Sequence, residues 1–146
     1  KAVANKIGVS FVDTDLLIEQ KHEATLEEIK NKYDYKFVRD EEEKVILSLT
    51  SSNRIISTGG SAVYSAKSMK HLKKFSKVIY INTPLEIIMQ RIDIGQKRGL
   101  AVPEGMSIPE IYSEREPMYQ KYCEIILDGS KTIDQLVDET IKQLNE

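Results

Sequence analysis

The densest group of reactive side chains is Phe11-Val12-Asp13-Thr14-Asp15, where an apolar run gives way to two carboxylates two positions apart. Alternate residues of an extended chain share a face, so Asp13 and Asp15 point the same way if the strand geometry continues. One carboxylate of such a pair can serve a divalent cation and its phosphates while the other holds or deprotonates a substrate hydroxyl. The same spacing allows a purely structural use, with Asp13 or Thr14 capping a helix that starts near Leu16. A second group is Ser57-Thr58-Gly59-Gly60-Ser61-Ala62. Two successive glycines free the backbone to approach a ligand, and a helix start behind them favours an anion; a tight turn with no ligand reads identically. Three arginines form the third group: Arg39 with Glu42 at i, i+3, Arg98 in Gly95-Gln96-Lys97-Arg98-Gly99, and Arg115 in Arg115-Glu116-Pro117-Met118-Tyr119. Guanidinium forks match carboxylate and phosphate geometry, and if these converge they suit an anionic substrate. Taken singly, each is an ordinary surface charge.

Other candidates are weaker. His22 and His71 lack metal-ligand spacing and a neighbouring Cys or carboxylate cluster, which assigns both to the surface. Cys123, between Tyr122 and an apolar run, is expected in the core, and Glu41-Glu42-Glu43 reads as a solvated helix face.

The elements that must position these groups follow from periodicity. Val9–Val12, Arg54–Ser57, Val78–Asn82 and Glu124–Leu127 are short, apolar and rich in β-branched or aromatic residues, and read as strands. Between them, Val38, Val45, Ile46 and Leu49 share one helical face, as do Leu85, Ile88, Met89 and Ile92, and Ile133, Leu136, Val137, Ile141 and Leu144 form a C-terminal stripe. Strands alternating with helices predict an α/β fold with a parallel sheet covered on both faces. In such sheets ligands bind beyond the carboxyl ends of the strands, which is where the Asp13/Asp15 and Gly59/Gly60 segments fall. Lys1 to Ile7 reads as the later turns of an amphipathic helix ended by Gly8, so a strand and a strand-to-helix loop are expected upstream of Lys1.

Composition narrows the class. A chain of 146 residues with 40% hydrophobic and 30% charged content fits one soluble domain, residues 1–146. A net charge of -2 gives no global attraction to nucleic acid. No apolar run reaches the ~18 residues of a spanning helix and no signal-like stretch opens the chain, so the expected compartment is the cytoplasm, with no membrane partner.

Taken in order, these pieces resemble the shikimate kinase family. That family's pattern after its phosphate loop is a helix ending in Leu-Ala-x-x-Leu-Gly, then Phe-x-Asp-x-Asp, a Phe-Arg-x-x-Glu helix, Thr-Gly-Gly-Gly, an Arg-Pro-Leu-Leu lid and Arg-x-x-x-Tyr. The matching stretches are Val3-Ala4-Asn5-Lys6-Ile7-Gly8, Phe11 to Asp15, Arg39 to Glu42, Thr58-Gly59-Gly60-Ser61, Arg98-Gly99-Leu100-Ala101 and Arg115 to Tyr119. The resemblance implies a three-layer αβα P-loop kinase fold of the nucleoside-monophosphate-kinase kind, with a five-stranded parallel sheet and a lid near residues 96–112. It also implies transfer of the γ-phosphoryl of ATP to the 3-hydroxyl of shikimate, with Mg²⁺, by a monomer in the pathway to chorismate and the aromatic amino acids.

By the same resemblance, Asp15 binds the accepting hydroxyl and acts as its base, and Asp13 serves Mg²⁺ through water. Arg39 and Arg115 clamp the shikimate carboxylate, Gly59 and Gly60 offer N–H groups to the ring hydroxyls, and Glu42 supports Arg39. Arg98 descends with the lid onto the transferring phosphate, and Arg91 lies beside the adenine. Three departures stand out. No Gly-x-x-x-x-Gly-Lys-Ser/Thr occurs in residues 1–146, so the phosphate cradle and a central strand are expected outside them. Ser61 replaces the third glycine, a restriction if that position needs positive φ. Gly99 and Ala101 replace lid proline and leucine, which implies a more flexible, less apolar hinge. The alternatives are a related kinase for gluconate or another small hydroxy acid, and a truncated, non-catalytic domain that binds shikimate or a protein. The arginine clamp with the Gly59-Gly60 turn favours shikimate; the true N-terminus separates enzyme from remnant.

Overall fold

A computed structural model describes residues 1–92 and 99–145. Helix α1 (Ala2–Ile7) stops at Gly8, whose φ of 71° places it in the left-handed region that glycine enters without steric cost. Strand β1 (Ser10–Asp13) follows, then α2 (Thr14–His22), α3 (Leu26–Lys32) and α4 (Tyr35–Ser48) before β2 (Arg54–Ser57). A 3-10 turn at Ala62–Tyr64 and α5 (Ala66–Leu72) lead to β3 (Ile79–Asn82), α6 (Leu85–Arg91), α7 (Ile108–Tyr122), β4 (Ile125–Asp128) and α8 (Ile133–Asn145). The four expected strands are present within a residue of their expected bounds.

Strands pair in parallel as β1 with β2, bringing Phe11 beside Ile55 and Asp13 beside Ser57, and as β3 with β4, bringing Tyr80 beside Ile126. Parallel neighbours need crossover connections, and helices supply them in both pairs. Among the described residues no ladder joins β2 to β3. The two pairs nevertheless meet over one apolar cluster, in which Ile46, Ala62, Val63, Met69 and Leu72 are packed by Ile56 of β2 and by Val78 beside β3. A second cluster, Ile18, Ile29, Val38, Val45 and Ala101, ties α2, α3 and α4 to the segment that follows residue 98. Helix α1 packs on α8, β1 and β2, and α8 on β4.

The α4 face is buried as its spacing predicts: Val38, Val45, Ile46 and Leu49 are all in the core. Two expected faces are less covered. In α6 no residue is buried and Met89 is exposed, because the helix packs mainly on α7. Ile133 opens α8 at 70% exposure, while Val137, a turn further in, is buried.

Four surface and core expectations are corrected. Glu41 and Glu42 are each 2% exposed, not solvated, because α4 is flanked by α2 and by the 3-10 turn. His22 lies on α2 with its Nε2 2.7 Å from Glu41 Oε2, and His71 Nε2 is 2.7 Å from the Leu49 carbonyl oxygen, so both are partly buried and partnered. Cys123 is half-buried at the C-cap of α7, its Sγ 3.5 Å from the Gln120 carbonyl, since the strand begins only at Ile125. Helix α7 starts at Ile108 behind a Ser107/Glu110 capping box, inside the expected lid range of 96–112.

Candidate active site

The two acidic residues sit at the carboxyl end of β1, but not on one strand face. The strand stops at Asp13 because its Oδ1 accepts from the N–H groups of Asp15 (3.0 Å) and Leu16 (3.4 Å), making Asp13 the N-cap of α2. Asp15 therefore leaves from the first helical turn. Burial pushes the Asp15 carboxyl above its ordinary range, reinforced by the charges of Asp13 and Glu19, and no side chain among the described residues hydrogen-bonds it. A half-buried carboxylate made more basic in this way suits proton abstraction from a hydroxyl.

The glycine turn is joined to this corner by Thr14, which is fully buried and accepts the Gly59 N–H on Oγ1 at 3.3 Å. That bond engages the Gly59 N–H expected to face a ligand; the Gly60 N–H has no acceptor among the described residues. The space beside the glycines is taken up by the ends of charged and polar side chains. A Cβ on Gly59 would lie 2.5 Å from Asp15 Oδ1 and 2.7 Å from Glu42 Oε1, and one on Gly60 would lie 2.7 Å from Arg115 Nη1 and 3.0 Å from Tyr119 Oη. Two carboxylates and a guanidinium thus crowd the same turn. Ser61 has φ −88°, so the position needs no positive φ, and its hydroxyl donates to Glu42 Oε2.

Glu42 does not brace Arg39 directly. Its hydrogen bond goes to Ser61, its Oε1 is buried without a partner, and no carboxylate among the described residues lies within ion-pair distance of Arg39. Burial pushes the Glu42 carboxyl up to about 7, helped by the Asp15 charge and opposed by the Ser61 hydrogen bond and by Arg115 and Arg39. Arg39 instead donates from Nε to the Ala101 carbonyl at 2.8 Å and lays its guanidinium carbon 3.6 Å from the Tyr64 ring centre. Arg115, on α7, is 7% exposed; its Nε reaches Tyr64 Oη at 3.4 Å and its Nη2 is buried with no hydrogen-bond partner. Tyr119, one helical turn on, donates to the Gly60 carbonyl at 2.8 Å and fixes α7 to the turn.

Arg39, Glu42 and Ser61 line a cavity of about 220 Å³ together with Tyr64 and Ser68. A larger hollow of about 420 Å³ lies apart from it, between α3 and residues 99–106. Gly99 closes onto α3: its φ is 55°, its N–H donates to Glu27 Oε2 at 2.6 Å, and a Cβ there would overlap the backbone of Leu26 and Glu27. Its glycine is a packing requirement more than a source of flexibility, and proline, with φ fixed near −65°, is excluded. Arg98 lies outside the described residues. Arg91 is exposed at the end of α6 and donates from Nη1 to the Gly129 carbonyl, 2.9 Å away, beyond the carboxyl end of β4.

This arrangement has counterparts. The family model described as shikimate kinase matches residues 1–145. The chain belongs to the shikimate kinase family. Among relatives, shikimate kinase 2 of Serratia proteamaculans (strain 568) is 25% identical over 98% of this chain and 85% of its own, and shikimate kinase 2 of Yersinia pestis (strain Pestoides F) is 27% identical over 99% and 86%. The shikimate kinase of Aquifex aeolicus superposes with a TM-score of 0.83 at 23% identity, covering 99% of this chain and 86% of its own. That of Acinetobacter baumannii, solved in complex with shikimate, gives 0.79 at 25% identity over 97% and 81%. This shikimate kinase family member therefore has the expected α/β P-loop kinase fold.

Tyr64, and the burial of Glu41, were not legible as site features. An aromatic residue four positions past Gly60 is the one signal that could have pointed to Tyr64. For a nucleotide and its metal, the described residues hold no group of three His, Cys, Asp or Glu side chains arranged around a cation. Asp13, with one oxygen committed to its cap, fits a role through water better than a direct one, since magnesium keeps several waters and takes few protein ligands.

Proposed function

We propose that this chain belongs to an enzyme that transfers the γ-phosphoryl of ATP to the 3-hydroxyl of shikimate. The observation that carries the reading is Arg115: a cation only 7% exposed, with an unpartnered Nη2 and, among the described residues, no carboxylate within ion-pair distance, set near a second, half-buried arginine that also lacks an ion-pair partner there. A desolvated guanidinium group without a counter-charge is costly unless an anion completes it. A substrate carboxylate does so bidentately.

In this reading Arg115 and Arg39 hold the carboxylate, and the Gly60 N–H meets a ring hydroxyl. Asp15 takes the proton of the 3-hydroxyl as that oxygen bonds to the γ-phosphorus and the bond to ADP breaks, giving shikimate 3-phosphate and ADP. Magnesium, when bound with the nucleotide, neutralises phosphate charge, and Asp13 would hold it through water. Arg91 would border the adenine, and Arg98 would meet the transferring phosphate. Positioning and charge neutralisation supply most of the catalysis in such transfers. The enzyme would work as a cytoplasmic monomer.

Activity needs a phosphate-binding loop that residues 1–146 do not contain. The test is mass-spectrometric detection of shikimate 3-phosphate, with gluconate in parallel, using ATP and the protein as isolated from its source. Phosphorylation of shikimate alone is the expected result; phosphorylation of gluconate alone, or of neither, overturns the reading.

A further inference from the structure

We infer that Tyr64 is a positioning residue that holds the two guanidinium groups of Arg39 and Arg115 at the spacing a single carboxylate requires. The inference rests on the function proposed above. Both guanidinium carbons lie close to one aromatic ring, Arg39 at 3.6 Å and Arg115 at 5.5 Å from its centre. Two like charges so placed repel, and among the described residues neither has an ion-pair partner to offset this. The ring face supplies part of what a counter-ion would, because its quadrupole attracts cations. Tyr35 adds a weaker contact to Arg39, at 5.0 Å.

The hydroxyl does the rest. It donates to Glu114 Oε2 at 2.7 Å and receives the Arg115 Nε–H at 3.4 Å, so one oxygen serves as donor and acceptor at once. Glu114 and Arg115 are neighbours on α7, so this pair of bonds fixes the roll of that helix against the 3-10 turn that carries Tyr64. The turn itself is tied down at its start by the Tyr64 N–H to the Ser61 carbonyl, 3.0 Å, and by the Ser61 hydroxyl on Glu42. The aromatic side chain thus links the glycine turn, α4 and α7 at the point where their cationic groups converge. An aliphatic residue at 64 would fill the space and leave both guanidinium groups without this contact.

The test compares shikimate with its methyl ester, which keeps the ring and hydroxyls but lacks the charge, by calorimetric titration of Tyr64→Phe, Tyr64→Leu and Arg115→Ala. Tyr64→Leu should weaken shikimate binding by about tenfold, since it removes both the cation–π contact and a hydrogen bond to a charged group. Tyr64→Phe, which keeps the ring, should lose only about threefold, the share of the Arg115 Nε bond. The ester should bind all Tyr64 variants within about twofold of the unsubstituted protein, because the charge-specific part is absent. A merely structural role would weaken both ligands equally, and that result overturns the inference, as does unchanged shikimate binding in Tyr64→Leu. If Arg115→Ala weakens binding while Tyr64→Leu does not, this inference fails and the clamp stands. If the unsubstituted protein binds no shikimate, the functional reading fails and takes this inference with it.

Discussion

Burial and pairing act in opposite directions on the carboxylates near the glycine turn, and their balance distinguishes two adjacent glutamates. Glu41 is buried, which raises its carboxyl, but hydrogen bonds from Lys21 at 2.6 Å, Lys44 at 2.7 Å and His22 outweigh this and hold it down to about 2. Glu42, with one hydroxyl partner, is pushed up to about 7. The signs are opposite. Glu41 binds protons less readily in the folded chain, so its contribution is present above pH 4.5 and is lost as pH falls toward about 2. Glu42 binds protons more readily in the folded chain, so stability falls as pH rises from about 4.5 to about 7. Urea unfolding across that range should show the decline, and Glu42→Gln should flatten it; an unchanged slope in Glu42→Gln would assign the decline elsewhere. Asp15→Asn should lower kcat by ~10² or more, the usual size of lost general-base catalysis, while leaving shikimate affinity nearly intact. Near-normal turnover in that variant would remove Asp15 from the proton transfer. At this scale the sequence was informative where a residue type has few uses: Asp13, Asp15, Gly59, Gly60, Arg39 and Arg115 all converge. It was silent on Tyr64 and misleading on Glu41 and Glu42, because a run of three glutamates gives no sign of which side of the helix will be covered.

At the scale of elements, short capped segments bring distant residues to one corner. Helix α2 begins where it does because Asp13 turns from strand to cap, and this one-residue change carries Asp15 off the strand face that alternation predicts. Helix α7 is started by the Ser107/Glu110 box and held to the glycine turn by Tyr119, which is what delivers Arg115 into the interior. Strands and the α4 face were legible because their periods are unbroken over four or more residues. The exposure of α6 was not, since an apolar stripe records that a face is apolar and not what packs on it. The segment after residue 98 carries a direct prediction. Gly99→Ala adds a Cβ against the backbone of Leu26 and Glu27 at a positive φ, so unfolding free energy should fall by at least about 1–3 kcal/mol, the cost of a strained left-handed residue. A substitution that leaves the urea midpoint unchanged would mean that residue 99 does not pack on α3 as described.

Across the whole molecule, the parallel pairs β1–β2 and β3–β4 flank one apolar cluster without bonding to each other, and Ile81 and Ile126 of the second pair are more than half exposed. Unpaired strand edges are what a further strand would cover. No described helix is long and apolar enough to cross a membrane. The parallel α/β order was readable from alternation alone, whereas which strands pair depends on contacts far apart in sequence and was not. The central claim is that Arg115 and Arg39 receive the carboxylate of shikimate, and its most direct measurement is the shikimate dissociation constant of the unsubstituted protein against Arg115→Ala at pH 7. Losing a buried charged hydrogen-bond partner costs about 1.5–3 kcal/mol, so the variant should bind at least about tenfold more weakly. Equal affinity in the two proteins would contradict the account.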